Sequence, residues 1–263
     1  MLEADPAAPP LFSVPARYNP RLQALVARIN ADEELQHWWR CANVNAMERL
    51  TLGDHGEVHC RIVANAALRL LRLLRDAGQM PGAVVHHHLA VEDAEVIVVL
   101  AAALHDLGLA AHAGPQVECG LPLATLKARE LLADLYPISA RTILIAEALH
   151  AILAHHGASP CLTLEAGVLA MADALDIAEG RSKLRLLTPG GEGGIDAPPA
   201  AAVPAVLEVV LKRGERQPVR VEIRTSDPAD LRHVEARLRQ TLHRTPLKEL
   251  VEIAAWRPDG HVA

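Results

Sequence analysis

The sequence predicts a mainly α protein, an all-helical domain carrying a small C-terminal α+β unit of ββαβ order. Three observations predict it. From Arg21 to about Leu187, apolar residues recur at the three- and four-residue spacing of helices. A Gly/Pro/Ala stretch, "TPGGEGGIDAPPAAAVP" (188–204), then breaks the pattern. Beyond it, apolar and polar residues alternate with the two-residue period of strands, interrupted by one amphipathic helical segment.

Taken in order, residues 1–20 hold five prolines and little periodicity, which predicts a flexible lead-in. Helices are expected near 21–30, 33–47, 55–77, 92–106, 122–134, 138–155 and 164–179. The third has a marked start, with Asp54 as N-cap and Glu57 completing a capping box. Its apolar positions Val58, Ile62, Ala66, Leu70 and Leu73 lie at helical spacing. The last should start at Thr163 and stop before Gly180. Residues 21–187 thus form the helical domain, 188–204 a linker and 205–263 the small unit. In that unit "AVLEVVL" and "PVRVEIRT" read as strands joined by "KRGERQ", then "PADLRHVEARLRQTLH" (228–243) as a helix and "LVEIAAW" as a closing strand.

Half of the 263 residues are hydrophobic, enough for a substantial core, and only six are aromatic. So few aromatics, with a net charge of −6, argue against a base-stacking nucleic-acid scaffold. The cysteines Cys41, Cys60, Cys119 and Cys161 stand apart without a C-x-x-C pair, so they read as reduced core residues of a cytosolic protein. The acidic, Pro-rich start is unlike a signal peptide. The best apolar run, Val96–Leu104, is far shorter than the roughly 20 residues of a membrane span. A soluble cytoplasmic protein is expected.

The chemistry is concentrated in four residues. His59 lies on the third helix, His105 and Asp106 end the fourth after "VVLAAAL", and Asp173 lies within "VLAMADALDIAEGR". An ionised carboxylate buried at the end of an apolar helix is costly unless something compensates. Two imidazoles and two carboxylates arriving from three helices make a ligand set for a divalent transition metal, and the ion supplies that compensation. Gly108 follows closely, where the helix can end and open Asp106 toward a cavity.

The order His…His-Asp…Asp, with "HCRIVANAALRLLRLL" after the first His, "AAALHDLG" around the pair and "MADALDIAEGR" at the end, resembles the HD superfamily of metal-dependent phosphohydrolases. The resemblance covers about residues 50–185. It implies an all-helical domain with His59, His105, Asp106 and Asp173 as ligands of one or two divalent ions (Mn, Fe, Co, Ni, Zn or Mg) and Asp106 as the catalytic carboxylate. Binuclear members add histidines between the pair and the last Asp, and His112, His150, His155 and His156 fall in that interval. His155-His156 ends a long helix, as in those members, and His150 and His155 are the expected additional metal ligands, although they point about 140° apart on an ideal helix and need help from the helix end to face one ion. The spacing around His112 departs from the family's His-Gly motif, which leaves it as a substrate contact. Arg181 is the first candidate for a substrate phosphate and Lys183 the second. The glutamate that some single-metal members place shortly after the pair is absent from "HDLGLAA", unlike nucleoside monophosphatases of the family.

The implied activity is hydrolysis of a phosphoester, of a nucleotide or cyclic (di)nucleotide, by a metal-activated water. The alternatives are a non-catalytic nucleotide-sensing or partner-binding module, or a nuclease for short RNA, which net charge disfavours. A small phosphorylated substrate and a homodimer formed through the ββαβ unit are expected, with no stable nucleic-acid complex and no membrane. Other features read as structure. His86-His87-His88 falls in a solvated loop, His55 is exposed or touches substrate, Trp38-Trp39 anchors the core, and "GGEGG" is linker rather than an RNA clamp.

Overall fold

The computed structural model describes residues 12–112, 117–157, 159–177, 206–225 and 228–256. Among them, Phe12–Asn19 already belong to the folded body, unlike the expected lead-in. Phe12 is fully buried and its ring stacks on Trp39 at 5.8 Å. Its backbone is clamped by Asn30, whose Oδ1 accepts from Phe12 N (2.9 Å) and whose Nδ2 donates to Phe12 O (2.7 Å). Asn19 caps α1 (Pro20–Ala31), with its Oδ1 accepting from Leu22 N. Asp32 caps α2 (Glu33–Asn43) in the same way, and α2 runs into a π-helical turn at Val44–Arg49 instead of continuing as α-helix.

Helix α3 (Glu57–Asp76) starts two residues later than predicted. Gly56 takes the N-cap position and Glu57 is the first helical residue, so the expected capping box does not form; Asp54 instead reaches past Gly56 to accept from His59 N at 3.0 Å. Its inward face is His59, Cys60, Val63, Ala67, Leu70, Leu71 and Leu74, while Val58 and Ile62 of the expected stripe face outward. A short helix, α4 (Gly82–His87), replaces the expected histidine loop. The buried Glu165 carboxylate holds its start, accepting from Gly82 N and Ala83 N at 2.9 Å each. His86–His88 are exposed, and His87 meets Glu147 at 3.0 Å.

Helix α5 (Val91–Leu104) is the centre of the fold, buried continuously from Asp93 to Leu104. A helix apolar on every side belongs inside. It runs antiparallel to α3: Glu95 near its start binds Arg72 and Arg75 near the end of α3, and His105 at its end meets His59 near the start of α3. Two 3-10 turns follow (Leu107–Ala110 and Val117–Gly120), then α6 (Leu121–Leu131), α7 (Ile138–Ala154) and α8 (Leu164–Ala174). The two turns cross at Gly108 and Gly120, where a Cβ on Gly120 would lie 2.7 Å from Gly108 N. α8 ends five residues before the predicted stop, because the chain tightens at Asp176, whose N–H bonds Asp173 O.

The C-terminal unit has the predicted order: β1 (Val206–Arg213), β2 (Val219–Thr225), α9 (Pro228–His243) and β3 (Val251–Trp256). β2 lies in the middle, antiparallel to β1 and parallel to β3. One sheet face carries Val219, Val221 and Ile223, all fully buried, in one hydrophobic cluster with the helices. The other face is charged and laced by pairs such as Lys212–Glu222 and Arg224–Glu208. The linker 188–204, including "GGEGG", lies outside the described residues.

Candidate metal centre

Four helix ends meet at one place. α3 brings His59 from its first turn, α5 ends on His105-Asp106, α7 ends on His155, and α8 brings Asp173 from its last turn. Three of these are C-terminal ends, where unpaired carbonyls gather partial negative charge that favours a cation. Trp39 fixes one of them by donating its Nε1–H to Ala103 O at 2.8 Å.

His59, His105, Asp106, His155 and Asp173 are all buried. His59 Nε2 lies 3.0 Å from His105 Nε2, 3.2 Å from Asp106 Oδ2 and 3.4 Å from Asp173 Oδ1. His105 Nε2 lies 3.2 Å from Asp106 Oδ2 and 3.9 Å from Asp173 Oδ1. Ligands about 2.1 Å from a shared ion stand about 3 to 3.5 Å from one another, so this spacing fits.

The protons decide what such a cluster needs. His105 Nδ1 lies 2.9 Å from Ala102 O, and a carbonyl only accepts, so Nδ1 carries a hydrogen and Nε2 is the nitrogen turned to the cluster. His155 Nδ1 bonds Ile152 O in the same way. Its Nε2 is buried without a hydrogen-bond partner among the described residues. His59 Nδ1 meets Asp176 Oδ2 at 2.6 Å, which leaves its Nε2 facing the cluster too. Three imidazole Nε2 atoms and two carboxylate oxygens therefore converge on one place. A cation satisfies them all, and these residues fit a divalent metal.

Asp106 stays ionised indoors. Burial alone would push its carboxyl up, but His105 and His55 outweigh it and hold it well below the ordinary range. His55, half-buried, lies with Nδ1 2.8 Å from Asp106 Oδ2. Burial, with His156 and His105 as neighbours, holds His155 well below the usual imidazole value, so it is neutral and able to ligate. His156 is more exposed, its ring 3.9 Å from that of His155, and His155, His156 and Asp173 form a second possible ligand group. Asp106 also groups with His105 and His155.

Two other sequence candidates lie elsewhere. His150 is turned away from the cluster: its Nε2 accepts from Leu162 N at 3.1 Å and closes the loop between α7 and α8. Five residues of helix separate it from His155, and only one of the two can face inward. His112, beyond the first 3-10 turn, joins no ligand group among the described residues. Arg181 and Lys183 lie outside the described residues. Sequence reasoning missed Asp176 as the partner of His59, and the only available sign was a second carboxylate three residues after Asp173 in an otherwise apolar segment.

Comparison with known proteins supplies the context. The model of a family described as HD domain matches residues 57–178, which include every residue of the cluster. An uncharacterized protein of Methanocaldococcus jannaschii, MJ1020, is 30% identical over 224 residues, covering 85% of each chain. No solved structure matches the chain.

Proposed function

Because this chain belongs to the HD domain family, a superfamily of metal-dependent phosphohydrolases, we propose that it hydrolyses a phosphoester of a nucleotide or cyclic (di)nucleotide. The observation that carries this reading is the convergence of buried imidazole Nε2 atoms with Asp106 and Asp173. His59, His105, Asp106 and Asp173 would hold one divalent ion, and His155 with His156 a second. When bound, such an ion supplies Lewis acidity and activates water at neutral pH.

The chain's own residues do the rest. Asp106, ionised and shared by two possible ligand groups, is the catalytic carboxylate that orients the attacking group. His55 is held by Asp106 through Nδ1, which places a titratable ring at the edge of the cluster to give or take a proton at Nε2. Arg181 and Lys183, eight and ten residues beyond Asp173, are proposed to meet the substrate phosphate. No helix of the described residues is long and apolar enough to cross a membrane. We place the protein in the cytoplasm, as a homodimer acting on a small phosphorylated substrate.

The test is elemental analysis of the purified protein, then a screen of nucleotides and cyclic dinucleotides with Mn, Mg, Co, Ni, Zn and Fe. Hydrolysis in the wild type, lost together with bound metal in Asp106→Ala at unchanged helix content, is the expected result. Full turnover and metal content in that variant would overturn the assignment. Tight nucleotide binding without turnover would favour the sensing module.

A further inference from the structure

We propose that Arg244, in the C-terminal unit, is a positioning residue for His155, so that docking of that unit tunes ion binding in the helical domain. This rests on reading the cluster as a metal centre. α7 ends at Ala154, and the carbonyls of its last turn need donors from elsewhere. Arg244, just beyond α9, supplies one: its Nη2 donates to His155 O at 2.8 Å. That carbonyl belongs to the residue whose ring delivers the unpartnered Nε2.

The chain is shaped to admit the guanidinium. Gly157, two residues on, has φ +81°, and a Cβ there would lie 2.8 Å from Arg244 Nη1. The same connector fastens the helix that carries Asp173. Thr245, Pro246 and Leu247 lie against Gly167 of α8, where an added Cβ would meet Leu247 Cγ at 3.1 Å and Pro246 Cδ at 3.3 Å. Thr245 and Leu247 are buried there. One four-residue connector thus braces two ligand-bearing elements, and Arg244 is its contact with the His155 turn.

Arg244 is itself exposed, so its removal strands no buried charge. The experiment titrates the metal-free full-length protein with Co(II), read by visible absorption and equilibrium dialysis. Arg244→Ala is expected to weaken the weakest cobalt-binding step about tenfold or more, the range for lost outer partners of metal ligands. Arg244→Lys, which can still donate to the carbonyl, should recover most of that affinity. Gly157→Ala, which crowds the guanidinium from the other side, should weaken the same step. Arg244→Ala binding cobalt as the wild type does, even with a lowered melting temperature, overturns the proposal alone. A wild type that takes up no cobalt overturns the metal reading and this proposal together.

Discussion

His59 and His105 turn their Nε2 atoms to the cluster because of what their other ring nitrogens touch, Asp176 Oδ2 and Ala102 O. A backbone carbonyl cannot be removed by substitution, but Asp176 can. Asp176→Ala frees the His59 ring to rotate and to change tautomer, so metal affinity should fall about 10- to 100-fold at unchanged helix content. Cobalt titration checks it, with His150→Ala as the contrast, since His150 is engaged with Leu162 N and should leave affinity intact. Equal losses in the two variants would mean that neither ring is where the structure puts it. The ligands themselves were legible because each awkward polar residue stood in a recognisable apolar setting. Asp176 was not, because its role depends on α8 ending at Ala174 and turning its carboxylate back across the fold. For His150 and His155 the helical angle showed that they diverge, but only packing decides which one turns inward.

At the scale of elements, α5 must sit in fixed register with α3 for His105 to meet His59, and a clasp at the far end sets that register. Glu95 binds Arg72 through both oxygens (2.9 Å each), Arg75 at 3.0 Å and Asn19 at 3.2 Å. Burial pushes the Glu95 carboxyl up, but Arg72, Asn19 and Arg75 outweigh it, and the net direction is down from 4.5. A lowered folded value means stability that is complete above the unfolded value and is lost as pH falls through the folded one. Glu95→Gln should therefore cost about 2 kcal/mol at neutral pH, and the gap to wild type should close on acidification below the ordinary carboxylate range. Urea unfolding across that range checks it, and a gap independent of pH would show that the clasp contributes shape but no charge. Long helices such as α5 and α7 were readable from composition alone. α4 was not, because its cap is a carboxylate some eighty residues away on α8, and no local pattern in "GAVVHH" announces it.

For the whole molecule, the C-terminal unit and the helical domain share one core. Val219, Val221 and Ile223 are fully buried in the cluster that holds Leu70 and Leu74 of α3, and Leu247 packs on α8. Alternation in "PVRVEIRT" told which residues form one sheet face, but the ββαβ string left open whether β3 lies beside β1 or, as it does, beside β2. What that face covers was not readable, because alternation is the same whether the partner is another chain or the chain's own helices. The sheet's apolar face is spent inward, leaving a homodimer only the strand edges or other surfaces to use. If the ββαβ unit served only to form the homodimer expected from the sequence, a chain cut after Leu187 would be a monomer that still binds metal. The structure predicts otherwise. The cut exposes apolar surface on α3 and α8 worth about 1.5–3 kcal/mol for each large side chain uncovered, and it removes the connector that braces His155 and Asp173. The truncated protein should melt well below the full chain and bind cobalt more weakly, with light scattering reporting association through the uncovered face. A truncated chain that is monomeric, as stable as the full protein and equal to it in cobalt affinity would show that the unit is an appendage after all, and would return it to the role of a dimerisation module.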